Sequence, residues 1–171
     1  MKVTFKETPV ELAGNFPAVG GKAPAFTLTG ADLTEEILED DFAGENKILN
    51  IVPSLDTSVC ALSAQKFNQA VANLKNTTLI NISADLPFAQ KRFCEHHSLK
   101  NIVTLSTFRS PAFGKDYGVQ ILSGPLTGLM ARAVLVLDAH NKIVYAELVP
   151  EITLEPDYEA ALSAARALAS P

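Results

Sequence analysis

Two cysteines, Cys60 and Cys94, are the residues of this 171-residue chain best suited to do chemistry. Thiols attack electrophiles, bind metals and oxidise reversibly. Cys60 closes the stretch "NIVPSLDTSVC", where an apolar run ended by Pro53 passes into a segment of helical spacing. That places it in the first turn of a helix, whose unpaired N–H groups carry partial positive charge and favour a thiolate over a thiol. Thr57 and Ser58, both natural capping types, stand just ahead of it. Two readings fit these residues equally: a reactive thiol, or a small hydrophobe buried near a helix start. Cys94 is followed by His96 and His97, which raises a metal site shared with Cys60. Adjacent residues diverge on a helix and no other ligand pair has zinc-like spacing, so no metal is expected. A Cys–His hydrolase has only the nucleophile in its favour. Arg132, near the start of "ARAVLVLD", reads by itself as a surface or ion-paired position on a strand.

The elements that must hold these residues follow from periodicity. "KVTFKE" alternates as a strand, with "VELAG" as its returning hairpin partner. "VGGKAPAFTLTG" is a turn-rich entry leading into a short strand, and "KILNIVP" is a buried strand. From Ser58, Val59, Leu62, Phe67, Ala70, Val71 and Leu74 recur at helical spacing. "TTLINISAD" is the next strand, and Asp85 with Pro87 marks the start of the helix that carries Cys94. "NIVTLST" is a strand, and "SPAFGKDYG" a short helix stopped by Gly118. "ARAVLVLDAHNKIVYAELV" is a hairpin, and "LEPDYEAALSAARALA" a closing helix. This order implies an α/β protein of thioredoxin-like pattern: a mixed central sheet flanked by helices, with an N-terminal β-hairpin.

Composition narrows the function. With 47% hydrophobic residues and no linker or repeat, residues 1–171 are expected to form a single domain with a sizeable core. A net charge of −5 without clustered Lys and Arg argues against nucleic acid. The acidic run "TEEILEDDFAGEN" reads as a solvated segment, interrupted by Ile37, Leu38 and Phe42. No apolar run approaches the ~18 residues of a membrane span, so no membrane insertion is expected. "MKVTFKETPVELAG" lacks the apolar core of a secretory signal, so the expected location is cytoplasmic. Cysteines there are normally reduced, and a pair is either inert filling or redox chemistry.

The surroundings of Cys60 decide between its two readings. Pro53, Thr57 and Cys60 stand in the spacing P-x-x-x-T-x-x-C, which resembles the active-site motif of the peroxiredoxins. "VGGKAPAF" resembles the entry segment of the same family. "NISADLPFAQKRFC", "VTLSTFR", "GPLTGLMARAV" and "EITLEPDYEAAL" resemble its thiol peroxidase branch, so the likeness spans nearly the whole chain. The resemblance implies a thioredoxin-dependent hydroperoxide reductase, typically homodimeric, with no organic cofactor because sulfur carries the electrons. It implies that Cys60 is the peroxidatic cysteine, becoming a sulfenic acid, and Cys94 the resolving cysteine that closes an intrachain disulfide. Thr57 would hydrogen-bond the sulfur and the peroxide, Pro53 would shield the pocket from water, and Arg132 would polarise the peroxide. Some relatives carry a further cysteine where this chain has Asn81, which leaves Cys60–Cys94 as the implied pair.

That pairing has a geometric consequence. Cys94 falls seven residues after Pro87, about 10 Å along a helix at 1.5 Å per residue, whereas a disulfide needs Cα atoms about 4.4–6.8 Å apart. The turns around both cysteines are therefore expected to unwind when they join. Three rivals remain. A disulfide oxidoreductase would favour C-x-x-C, but position 63 is Ser63. A peroxide sensor would need one oxidation and a partner rather than turnover. A binding module would carry the cysteines as vestiges. Apolar residues in "LPFAQKRF" and "GPLTGLM" point towards organic hydroperoxides as substrates.

Overall fold

The computed structural model describes residues 2–169. A β-hairpin opens the chain: β1 (Val3–Phe5) and β2 (Thr8–Val10) pair antiparallel with Val3 opposite Val10. Lys6 and Glu7 both adopt positive φ (49° and 66°), the backbone of the tight two-residue turn that suits strand twist. The return strand is thus closer than the sequence suggests, with "TPV" rather than "VELAG" as the partner. The turn residues carry no Gly or Asn to advertise them.

A seven-stranded mixed sheet follows, in the order β4-β3-β7-β6-β5-β8-β9. It comprises β3 (Thr27–Thr29), β4 (Glu35–Ile37), β5 (Asn46–Ile51), β6 (Thr77–Ser83), β7 (Val103–Ser106), β8 (Ala133–Leu137) and β9 (Ile143–Leu148). Strands β5, β6 and β7 are parallel, so the chain must cross over between them, and helices make the crossings: α1 (Ser58–Val71) and α2 (Pro87–His96). The hairpin β8–β9 pairs antiparallel with β5. A short α3 (Ala112–Asp116) and a closing α4 (Tyr158–Ala169) complete the set. Strand β4 is an element the sequence conceals: the acidic run read as solvated surface holds this edge strand, whose Ile37 is half-buried, and turns Leu38 and Phe42 into the core.

Alternation along the central strands divides the core. Leu49, Ile51, Ile80 and Ile82 point to one face, packed with Phe113, Tyr117 and Val119. Ile48, Leu79, Val134 and Val136 point to the other, under Phe67 and Val71 of α1 and Ala161 and Ala165 of α4. The buried stripe of α1 is Cys60, Ser63, Ala64, Phe67 and Val71. The apolar spacing that starts at Val59 and Leu62 is therefore offset by one residue, and Leu62 is exposed. After α3, Gly118 adopts φ +64°, and a Cβ there would sit 2.3 Å from the backbone of Asn15 and Phe16. No described helix is long and apolar enough to cross a membrane.

Candidate active site

Both helices that carry cysteines begin at the same end of the sheet, where the parallel strands finish. Strand β5 ends at Ile51, Val52 and Pro53 are buried behind it, and a bend of four residues leads into α1. Cys60 lies in the first turn of α1 with none of its surface exposed. It packs in a small apolar cluster with Val52, Leu55, Ala64 and Phe93, and Cys94 lies against the same cluster. Both cysteines are free thiols, with Cys94 only partly buried. The seven residues that separate Cys94 from the start of α2 are spanned by this cluster, which holds Phe93 of α2 and Cys60 of α1 together and has Cys94 on its margin.

Thr57 takes the N-cap position of α1, yet its side chain makes no cap hydrogen bond. Its hydroxyl donates instead to the carbonyl of Ser54 at 3.1 Å. Thr57 thus leaves the first-turn N–H groups beside Cys60 uncapped, and no acidic residue lies in that turn. They remain directed at whatever oxygen enters the site.

Asp85 does not cap α2; Leu86 holds that position. The Asp85 carboxylate reaches across to the bend before α1, accepting from Ser54 Oγ at 2.7 Å and from the Leu55 N–H at 2.8 Å. Ser83 Oγ, on its own strand end, donates to it at 2.8 Å, and Gln90 Nε2 donates to Ser83 Oγ at 3.0 Å. One carboxylate thus ties the loop before Cys60 to the strand end that launches the helix of Cys94. Its sequence signal, an Asp just beyond a strand, is the same signal a helix cap gives.

Arg132 precedes β8, one residue before Ala133, which pairs with Ile51. That register sets it beside the end of β5, and it is 2% exposed. Its Nε and Nη2 both donate to the Ile152 carbonyl, at 3.1 and 3.0 Å, while Nη1 is buried with no partner. None of the ion pairs among the described residues includes it. Glu155 lies within its electrostatic reach without bonding to it, and a buried cation with one free N–H arm attracts developing negative charge.

The segment after β9 completes the wall. Glu155 accepts from Lys66 Nζ of α1 and from Tyr158 Oη of α4, both at 2.9 Å. Tyr158 stacks edge-on against Phe67 at 5.1 Å between ring centroids. Burial, aided by Glu155, pushes the Tyr158 phenol above its ordinary range; Arg132 pulls it down and Cys60 pushes it up, which sets it within electrostatic reach of both. Burial, aided by Glu95, likewise pushes the Cys94 thiol up. Pro53, Cys60, Thr57 and Arg132 thus gather at one end of the sheet, together with Asp85, Glu155 and Tyr158, for which the sequence suggested no role at the site, while Cys94 lies two turns along α2 against the Cys60 cluster. Among the described residues no cluster of His, Cys, Asp and Glu is arranged to hold a metal.

Residues 18–162 match the Redoxin family. A thiol peroxidase of Mycobacterium bovis is 49% identical over 163 residues, spanning 95% of this chain and 97% of that protein. The solved structure of a peroxiredoxin-like protein from Aquifex aeolicus has a TM-score of 0.91 at 40% identity, over 98% of this chain and 96% of that one. A thiol peroxidase from Chromobacterium violaceum has a TM-score of 0.87 at 28% identity, over 94% and 92% respectively.

Proposed function

This chain belongs to the Redoxin family and is a thiol-dependent peroxidase, and from there we propose a role for each residue of its site. The Cys60 thiolate attacks the terminal oxygen of a hydroperoxide. The O–O bond breaks, Cys60 becomes a sulfenic acid, and water or an alcohol leaves. The free arm of Arg132 and the first-turn N–H groups of α1 meet the charge that builds on the departing oxygen. Thr57 Oγ1, its proton committed to Ser54, presents lone pairs towards an incoming O–H, and Pro53 keeps bulk water behind the sulfur. Cys94 then attacks the sulfenic sulfur, water leaves, and a disulfide closes. A thioredoxin-type dithiol reduces it. The buried guanidinium of Arg132 beside the end of β5, with one N–H arm unpaired, carries this reading.

A single domain holds all of these groups, and we place it in the cytoplasm, where dithiol reductants are maintained. Leu86, Phe88 and Phe108 are 52%, 67% and 44% exposed beyond the ends of β6 and β7. They supply the apolar patch through which we infer a homodimer.

The test is to add one equivalent of cumene hydroperoxide to the reduced protein and measure free thiols and intact mass. Both thiols should disappear in a species of monomer mass, and Cys94→Ser should stop at a sulfenic acid that dimedone traps. Survival of both thiols would reduce Cys60 to a core cysteine.

The raised Cys94 thiol adds a pH signature. Only its thiolate attacks, so disulfide formation from preformed sulfenic acid should accelerate about tenfold per pH unit below the thiol pKa. Stopped-flow records between pH 6 and 8 will show this slope. A flat profile would mean that another group removes the proton.

A further inference from the structure

Among the described residues, four buried side-chain atoms have no hydrogen-bond partner: Asn50 Oδ1, Asn81 Nδ2, Gln90 Oε1 and Arg132 Nη1. All four border the elements that carry the cysteines. Asn50 and Asn81 are a pair, opposite each other on the parallel strands β5 and β6, and neither is exposed at all. Asn50 Nδ2 donates to Asn81 Oδ1 at 2.9 Å and, more weakly, to Ser63 Oγ at 3.3 Å. Ser63 Oγ donates in turn to the carbonyl of Cys60 at 3.0 Å. A polar chain therefore runs from the middle of the sheet to the backbone of the reacting cysteine. It is left half-satisfied at its sheet end.

We propose that Asn50, Asn81 and Ser63 are positioning residues that set how readily the first turns of α1 unwind. Through that they set how the sulfenic acid of Cys60 partitions between two fates. The inference rests on the peroxidase reading above. The wound helix seals the amide pair from water and strands one acceptor and one donor, which raises the free energy of the wound state. Unwinding admits water to both atoms. The bond from Ser63 to the Cys60 carbonyl opposes the opening. The amide pair is a spring and the serine its catch.

The two fates differ in what they require. Resolution needs unwinding: Cys94 sulfur attacks the sulfenic sulfur, the S–S bond forms, the S–O bond breaks, and the hydroxyl leaves as water. Overoxidation needs the wound site: the sulfenate attacks a second hydroperoxide, its O–O bond breaks, and a sulfinic acid and an alcohol result. The fraction of sulfinic acid at a given peroxide concentration therefore reports the unwinding equilibrium. It does not depend on how fast the sulfenic acid formed.

The experiment measures that fraction by intact mass after exposure to graded cumene hydroperoxide. Asn50→Leu alone strands both polar atoms of Asn81 and should lower the sulfinic fraction. Adding Asn81→Leu removes both orphaned atoms of the pair and should reverse the shift, raising the ratio of sulfinic acid to disulfide about tenfold over the single variant. General damage to the core would move both variants the same way. Shifts of the same sign, or no shift in either, overturn the proposal. Should a leucine variant fail to fold, hydrogen exchange on Ser63→Ala decides. Against the wild type, the amides of Ala61–Ala64 should open more readily while those of Phe67–Val71 hold, and unchanged protection overturns it. If no variant and no wild type forms either oxidised product, the peroxidase reading itself has failed.

Discussion

Arg132→Ala should slow oxidation of Cys60 by a hydroperoxide about 100- to 1,000-fold, the range seen when a preorganised donor to a developing oxyanion is removed. The obvious alternative is that Arg132 works only by holding the sulfur as thiolate, and magnitudes argue against it. For any cysteine, a drop in pKa from about 8.5 to about 6 raises the thiolate fraction at pH 7 roughly 30-fold. Nucleophilicity falls with basicity, with a slope near 0.4–0.5 in thiol exchange, which removes roughly 13-fold. Borrowed for peroxide attack, that slope leaves about a twofold gain. The larger contribution must come from charge stabilised on the departing oxygen, and Arg132 is the donor we propose for it. Two nitrogens of Arg132 are held on the Ile152 carbonyl and the third is free and buried. The fork is therefore oriented before substrate arrives. Arg132→Lys should recover little, because a lysine cannot hold that carbonyl with two N–H groups while presenting a third. The measurement is the second-order rate of sulfenic acid formation from pH 6 to 10. A deficit that persists on the alkaline plateau of the rate supports direct stabilisation, and one that vanishes at high pH refutes it.

Asp85→Ala should slow the same step about 10- to 100-fold, although Asp85 touches neither sulfur nor substrate. Its carboxylate accepts from Ser54, Leu55 and Ser83. Thr57 in turn hangs from the Ser54 carbonyl. Releasing Ser54 lets the bend before α1 relax, and displacement of reacting groups by about 1 Å can cost of order 10²-fold. The substitution also strands Leu55 N–H and two hydroxyls, each partly buried, and bonds to a charged acceptor contribute about 1.5–3 kcal/mol apiece. With water entering the bend to replace part of these three bonds, a net loss of about 3 kcal/mol in stability is expected from denaturant titration. Asp85→Asn keeps an acceptor and should recover most of the stability and part of the rate. If Asp85→Ala lost stability but oxidised at the wild-type rate, the carboxylate would serve folding alone.

Much of this molecule is legible along the chain because burial writes itself into periodicity. The continuous apolar runs of β5, β6 and β8 need both faces covered, and so they announce a central sheet with helices on it. Pro53 and Pro87 mark where chain direction changes, and the spacing of Pro53, Thr57 and Cys60 on one short bend can be read without coordinates. Strand β4 escaped because an edge strand of three residues buries little, and its glutamates read as surface. The hairpin return was misplaced because its turn residues are lysine and glutamate, held at positive φ by the pairing around them.

Local spacing also determined which cysteine stands at a helix start, since cap, helix and thiol lie within one turn of chain. What it could not carry is any property that depends on residues far apart in sequence. Whether Arg132 is a surface charge or a buried cation depends on Ile152, twenty residues on, and on the strand register with β5. Whether Asp85 caps a helix or pins a loop depends on Ser54, thirty-one residues back. That Asn50 and Asn81 meet at all depends on two strands pairing in parallel. Hydrogen bonds act over about 3 Å, and only the folded chain decides which donors and acceptors come that close.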